Sequence, residues 1–357
     1  MFPNRETVSG AKPGRHVRKG DCMGFDIREF EPIDEECRAW LAVGAAYVPD
    51  RPPDTLAHFR ARLATGSKDR FPHLFVATMD TKVVGCGQVY KPTWIGIQDC
   101  MTYDFMLYPA LENLMVGGQA IHSLVEAYVL KQIEGLEVGV LSLKVRDDRP
   151  VRVDWLEANG YVCLQRDLNS ALDVQGFDFD PWVGRIQAAE EAGFAFHNLP
   201  SLMQNDPKWC FKLHRAWLEV DTDVPRPYGP PSITEADFDT MLRKSGASPD
   251  TWMIAVDRTE SNEAEGCGPY AAFTAANRIP GTPTVWDIRL TGVRRAWRRR
   301  GLAIALKLKS IEQARREGAT MIVTGNEERN PMLAINQRLG FVPKVTILQY
   351  EKRLVVS

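Results

Sequence analysis

Val293-Arg294-Arg295-Ala296-Trp297-Arg298-Arg299-Arg300-Gly301-Leu302-Ala303 lies between an apolar run, 285–293, and a helix pattern, 302–317, that ends at Gly318. A turn in that position presents successive backbone N–H groups at a helix N-terminus, where unpaired donors and the positive end of the dipole favour an anion. Gly301 removes the Cβ that would hold a diphosphate away, and Ala303 keeps the first helical turn slim. Arg294, Arg295, Arg298, Arg299 and Arg300 add charge enough for a further phosphate. As a bare string, Arg-x-x-Gly-x-Ala is weak, and its surroundings decide its meaning.

The surrounding elements follow from period and punctuation. Residues 193–202 are strand-like, and Asp206-Pro207 starts a helix with Trp209, Leu213 and Trp217 at helical spacing. Ser232 and Glu235 form a capping box ahead of Phe238, Met241 and Leu242, with a stop near Gly246. The segments 252–256, 270–274 and 285–293 read as strands. After the 302–317 helix come a strand at 321–324, a short helix at 331–339 and a last strand at 345–350.

The chain also repeats itself. Gly24-Phe25 returns as Gly193-Phe194, Gly85-Cys86-Gly87 as Gly266-Cys267-Gly268, Pro150 as Pro331, and Gly160-Tyr161 as Gly340-Phe341. The near-constant offsets of the last three, about 180, predict two copies of one fold. The expected organisation is a disordered basic tail at 1–22, a first domain at 23–172, a linker at 173–192 with a short helix from Asp180-Pro181, and a second domain at 193–357.

With 357 residues and 44% apolar content the chain can bury two cores. Forty-four Lys and Arg against 46 Asp and Glu leave a formal charge of -2, so no global basic field draws it to nucleic acid or anionic membrane. Seven scattered cysteines without a Cys-x-x-Cys pair argue against a disulfide framework or a zinc site and suit a reducing cytoplasm. The longest uncharged stretch, 113–125, is too short for a membrane span.

Taken together, the strand, the loop, the helix and the closing Leu339-Gly340-Phe341 resemble the GNAT superfamily of acyl-CoA N-acyltransferases across the whole second copy. The resemblance implies an α/β, layered α+β fold of two tandem domains, each a mixed, mostly antiparallel twisted sheet flanked by helices. It implies acetyl-CoA as co-substrate, with no metal, its pyrophosphate held by backbone N–H groups of the loop Arg298, Arg299, Arg300, Gly301, Leu302 and Ala303. Leu290, Thr291, Gly292 and Val293 would pair with the pantetheine arm, the next strand would splay away, and Asn326 and Asn330 would contact the arm. A solvated basic helix start or a nucleic-acid patch is the competing reading, but only Trp297 interleaves an aromatic with the arginines.

An acceptor amine resembling lysine, with a free pKa near ~10.4, must lose a proton before or during attack. The family often places a carboxylate six residues ahead of the position matching Val293, and here that is Asp287. Six is an even step, so Asp287 is expected on the same strand face as Val293, acting through a water; pairing with Arg289 or solvation at an edge is the alternative. Where the family has a proton-donating Tyr, this chain has Asn336, which cannot donate a proton at neutral pH. Asn336 is expected to hydrogen-bond the sulfur or thioester, or to serve the helix alone. A thiol pKa near ~8.5 lets the thiolate leave with little help.

In the first copy the loop's place is taken by Glu112-Asn113-Leu114-Met115-Val116, where an acid would repel a diphosphate, although Gly117 and Gly118 could still open a helix toward an anion. It reads as a degenerate copy that braces the second and walls its acceptor cleft, a layout similar to that of mycothiol synthases. Three functions stay open: transfer of an acetyl or short acyl group to a small-molecule amine in a ternary complex, a non-catalytic acyl-CoA sensor, and acylation of a protein or nucleic-acid-associated amine. The first is expected, because Asp287 and the full loop are kept. Glu219, Asp221 and Asp223 either suit a cationic amine or form a solvated acidic loop, and His214 reads as a packed or surface histidine.

Overall fold

The computed structural model describes residues 24–65, 73–92, 99–230, 232–243, 247–259 and 268–354. The basic tail, Gly246 and the Gly266-Cys267 landmark lie outside the described residues. The first copy runs β1 (Phe25–Glu29), α1 (Asp34–Tyr47), α2 (Leu56–Thr65), β2 (His73–Met79), β3 (Lys82–Tyr90), β4 (Cys100–Leu107), α3 (Ile121–Gln132), β5 (Val140–Arg146), α4 (Pro150–Ala158) and β6 (Val162–Asp173). After α5 (Arg185–Glu191) the order returns, with one helix more. It runs β7 (Phe194–Asn198), α6 (Leu199–Asn205), α7 (Trp209–Thr222), α8 (Glu235–Arg243), β8 (Met253–Asp257), β9 (Tyr270–Ile279), β10 (Thr282–Val293), α9 (Leu302–Arg316), β11 (Met321–Glu327), α10 (Pro331–Arg338) and β12 (Val342–Arg353).

These twelve strands form one sheet rather than two, in the order β1-β2-β3-β4-β5-β12-β6-β11-β10-β9-β8-β7. The closing strand of each copy sits in the other copy's half. β6 pairs antiparallel with β11, Asn169 opposite Gly325, while β12 pairs antiparallel with β5, Leu348 opposite Val145. β6 and β12 then lie side by side. The exchange covers the free edges of β5 and β11 and joins the two halves into one sheet. The cores follow the strands: Leu348 and Tyr350 of β12 pack with Leu141 and Leu143, and Leu172 and Val174 of the first copy pack with Ile311 and Ile322. Among the described residues the only parallel pairings are β4 with β5 and β10 with β11.

Local chemistry shifts several expected boundaries. The strand expected at 193–202 stops at Asn198, whose Oδ1 accepts from the Ser201 N–H at 3.0 Å and caps α6, with Pro200 in the first turn. α8 is capped by Thr234, whose Oγ1 accepts from the Asp237 N–H at 3.1 Å, in place of the Ser232–Glu235 box. The linker helix is split, because Pro181 lies in a 3-10 turn and Gly184, at φ 79°, restarts the chain as α5. Pro150 and Pro331 both open helices, and Gly160 and Gly340 both take a positive φ, so those landmarks correspond. The Gly-Cys-Gly landmark does not. Gly85 opposes Leu107 in β3, whereas Gly268 precedes β9. No described helix is long and apolar enough to cross a membrane.

Candidate active site

β10 and β11 pair only from Val285–Met321 to Ile288–Thr324. Beyond that point β10 continues along β9 while β11 continues along β6, and the two diverge. The gap is a cleft of about 1240 Å³. Leu290, Thr291, Gly292 and Val293 line one side; Asn326 and Asn330 line the other. Arg298, Arg299, Gly301, Leu302 and Ala303 close one end. Arg300 does not line it, and its guanidinium lies 5.9 Å over the Phe194 ring.

The loop turns through two left-handed residues, Arg299 at φ 65° and Gly301 at φ 78°, and Gly301 is the N-cap of α9. Glycine therefore serves twice: it relieves the backbone, and a Cβ there would project into space with no atom within 4 Å. The first N–H groups of α9 have no acceptor within the helix. Three arginines are held from behind by α7 and the residue after it. Glu219 accepts from Arg294 Nε at 2.8 Å and from the Arg295 N–H at 2.7 Å, and Asp223 takes both Arg295, at 2.5 Å, and Arg298. Hydrogen bonds from Arg295 and Arg298 pull the Asp223 carboxyl down to about 2. Asp221 is tied to Arg226 at 2.6 Å. These acids thus fix the loop and its neighbour rather than forming a solvated patch. Arg299 keeps its side chain free of hydrogen bonds and ion pairs among the described residues.

Asp287 lies toward the far end of the cleft, its side chain 26% exposed and 3.6 Å from Arg289. Burial raises its carboxyl above the usual carboxylate range, while Arg289 and Arg51 pull it back. Asp287 and Val293 do not share a strand face, contrary to the expectation from their even spacing. Leu290 opposes Ala275 and Ile288 opposes Ala276, so Arg289 is an extra residue, a β-bulge that reverses the alternation. Asp287 shares its face with Leu290 and Gly292, over α7, and Val293 turns to the opposite face over α9. Asn336 does not reach the cleft. It is fully buried in α10, and its Nδ2 donates to Asn326 Oδ1 at 2.6 Å, so it orients a residue that does.

One lining residue escaped the sequence reading. Lys307, in α9, is 1% exposed, its Nζ has no hydrogen-bond partner, and burial lowers its pKa to about 7. Its place among Leu306, Leu308 and Ile311 on the helix was the only signal. His214 is packed, with its Nε2 2.9 Å from the Ile233 carbonyl.

The first copy supplies the remaining wall through Tyr47, Val48, Arg51, Lys144 and Arg146. In the corresponding part of the first copy, buried side chains stand beside β4. Arg152, buried, donates to the carbonyl of Phe105 in β4. Glu112 is buried beside Arg149 at 3.4 Å, and Gly117-Gly118 form the turn of a short hairpin, with Ala120 capping α3.

No protein-family model and no curated protein sequence matches the chain. Solved structures do. A GCN5-related N-acetyltransferase from Sphaerobacter thermophilus superposes with a TM-score of 0.66 at 16% identity, over 93% of this chain and 97% of its own. A tandem GNAT protein from the clavulanic acid biosynthesis pathway gives 0.66 at 17% identity, over 93% and 99%. The chain has the tandem GCN5-related N-acetyltransferase fold. At these identities the likeness is one of fold, and within the GNAT fold the loop at Gly301 and the divergence of β10 from β11 define the open side. The glucosamine N-acetyltransferase region of a fungal multi-domain β-N-acetylglucosaminidase shares the fold at TM-score 0.65 and 12% identity, over 92% of this chain and 38% of that one.

Proposed function

We propose that the chain is an N-acyltransferase that moves an acetyl or short acyl group from acyl-CoA to an amine of a small molecule, within the second copy's cleft. The observation that carries the reading is one strand with two unlike ends. Its C-terminal end leads into the N–H-rich turn at Gly301, and six residues back, ~20 Å along a strand, stands the half-buried Asp287. A diphosphate at the turn would let the arm of the co-substrate lie along Leu290–Val293 and bring its thioester toward Asp287. The Cβ-free space at Gly301 and the unpaired Arg299 fit such a group.

The chemistry needs a base and little else. Asp287, its proton affinity raised by burial, takes a proton from the acceptor ammonium directly or through a water. The freed lone pair attacks the thioester carbon, the C–N bond forms, the C–S bond breaks, and the thiolate, with a pKa near ~8.5, leaves and takes up, directly or through solvent, the second proton that the nitrogen sheds to become an amide. Ladder groups left unpaired by the bulge at Arg289 are suited to polarise the thioester oxygen. A cytoplasmic setting goes with this reading, and Cys37, Cys86, Cys100, Cys163 and Cys210 are all free thiols.

The test is thiol release from acetyl-CoA by the full chain against a panel of amines, with the acylated product identified by mass. Amine-dependent release supports transfer. Tight binding without release for any amine would instead make the protein an acyl-CoA sensor.

A further inference from the structure

The cleft has a charge pattern that the transfer chemistry alone does not require. Arg51, Lys144 and Arg146 of the first copy line it together with Arg289, and the carboxylates of Asp167, Asp287 and Glu327 line it too. Their situations differ. Arg146 is neutralised from behind, donating to Asp148 at 2.9 and 2.8 Å and pairing with Asp50 at 2.6 Å. Arg289 is the bulged residue, 66% exposed, and among the described residues it pairs with Asp287 alone, at 3.6 Å. Arg51 has no hydrogen bond or ion pair on its side chain among the described residues, yet its charge is felt at Asp287. Its position is nonetheless built: its backbone N–H bonds the Val48 carbonyl at 3.3 Å, and the Asp50–Arg146 pair fastens the segment to β5.

We propose that the acceptor is an amine that also carries a carboxylate, and that Arg51 of the first copy, with Arg289, binds that carboxylate while Asp287 faces the amine. This rests on the transferase reading and goes beyond it by naming the substrate class. At Asp287 a purely cationic amine would also meet the charges of Arg289 and Arg51, and like charges close together repel strongly in a cleft partly shielded from water. A zwitterion matches each charge with its opposite. The planar guanidinium fork takes a carboxylate in bidentate fashion, leaving Asp287 to the ammonium. The arrangement also gives the first copy a task, because its Arg51 lines the second copy's cleft.

The experiment uses the full chain. Thiol release is measured with acetyl-CoA and L-alanine, L-glutamate, phosphoethanolamine, ethanolamine, glucosamine and spermidine, and calorimetry follows binding of the same amines to the CoA-saturated protein. The expected result is the highest kcat/KM among the amino acids. Arg51→Gln should raise their KM by about 10- to 100-fold, the loss of a hydrogen bond between charged groups, with a much smaller change in kcat. Arg51→Glu should shift the preference toward ethanolamine and spermidine. Preference for phosphoethanolamine over the amino acids would overturn the carboxylate assignment in favour of a phosphate. Preference for spermidine or glucosamine in the parent, or a KM unmoved in Arg51→Gln, would overturn the proposal and leave the transferase reading intact. Arg51-dependent binding of amino acids without any thiol release would do the reverse, and absence of both binding and release for amino acids would overturn the proposal.

Discussion

Replacing Lys307 with Met should stabilise the protein, by an amount that depends on pH in a defined way. The side chain is buried in α9 without a partner, and its pKa falls from the ordinary lysine value of 10.5 to about 7. The folded pKa is depressed, so the unfolded chain holds this proton more tightly than the native one. Stability contributed by the residue therefore rises with pH between about 7 and 10.5, and the cost of keeping the amine is greatest in acid. At 1.36 kcal/mol per pH unit the cost is about 5 kcal/mol well below pH 7, about 4 kcal/mol at pH 7 and about 2 kcal/mol at pH 9. Met fills a similar volume beside Ile304, Ile335 and the Phe341 ring without a charge to desolvate. Urea unfolding of parent and variant at both pH values, with the m-values compared, measures the gap. A gap that stays constant from pH 7 to pH 9, or a variant less stable than the parent at pH 7, would refute the reasoning.

Asp287→Asn should lower turnover by about 100- to 10,000-fold, the usual range for a general base, while acetyl-CoA affinity stays near the parent's. The deficit should shrink at high pH, where more amine is already neutral; equal rates at neutral pH would remove Asp287 from the mechanism. The exchanged strands make a different prediction about folding. Residues 24–172 expressed alone lack β11 and β12, which leaves β5 with an open edge beside β4 and β6 without its partners, so size-exclusion chromatography should show dimers formed by mutual exchange of β6, or aggregates. A stable monomer with native-like melting would mean that β6 can close its own copy.

Much of this was legible in the residues, and the parts that were not share a cause. Pro150 and Pro331, Gly160 and Gly340, and the stretch from Val293 to Ala303 are local signals, set by backbone geometry that the chain carries wherever it goes. They placed the helices, the turn and the repeat. The exchange of β6 and β12 is a choice between two partners of equal local character, which no periodicity distinguishes. The bulge at Arg289 likewise depends on how β9 pairs with β10, and one inserted residue was enough to turn Asp287 to the other face. Glu219 and Asp223 look like solvated acids in sequence; only the fold sets them against Arg294, Arg295 and Arg298. Arg51 is some 236 positions from Asp287, in the other copy, and nothing near it in sequence points to the cleft.

The central claim is that one acyl-CoA binds per chain, at the turn of the second copy. Calorimetric titration of acetyl-CoA into the full chain, its Gly301→Val variant and a Glu112→Gln variant of the first copy tests it most directly. A Cβ at Gly301 meets no protein atom within 4 Å, so the variant should suffer only the strain of its left-handed φ, about 1 to 2 kcal/mol, and a melt confirms that it is folded. The account predicts a stoichiometry of one for the parent, binding weakened at least about tenfold in Gly301→Val through loss of the close backbone approach, and no change in Glu112→Gln. Two sites per chain, or a folded Gly301→Val protein with parental affinity, would contradict it.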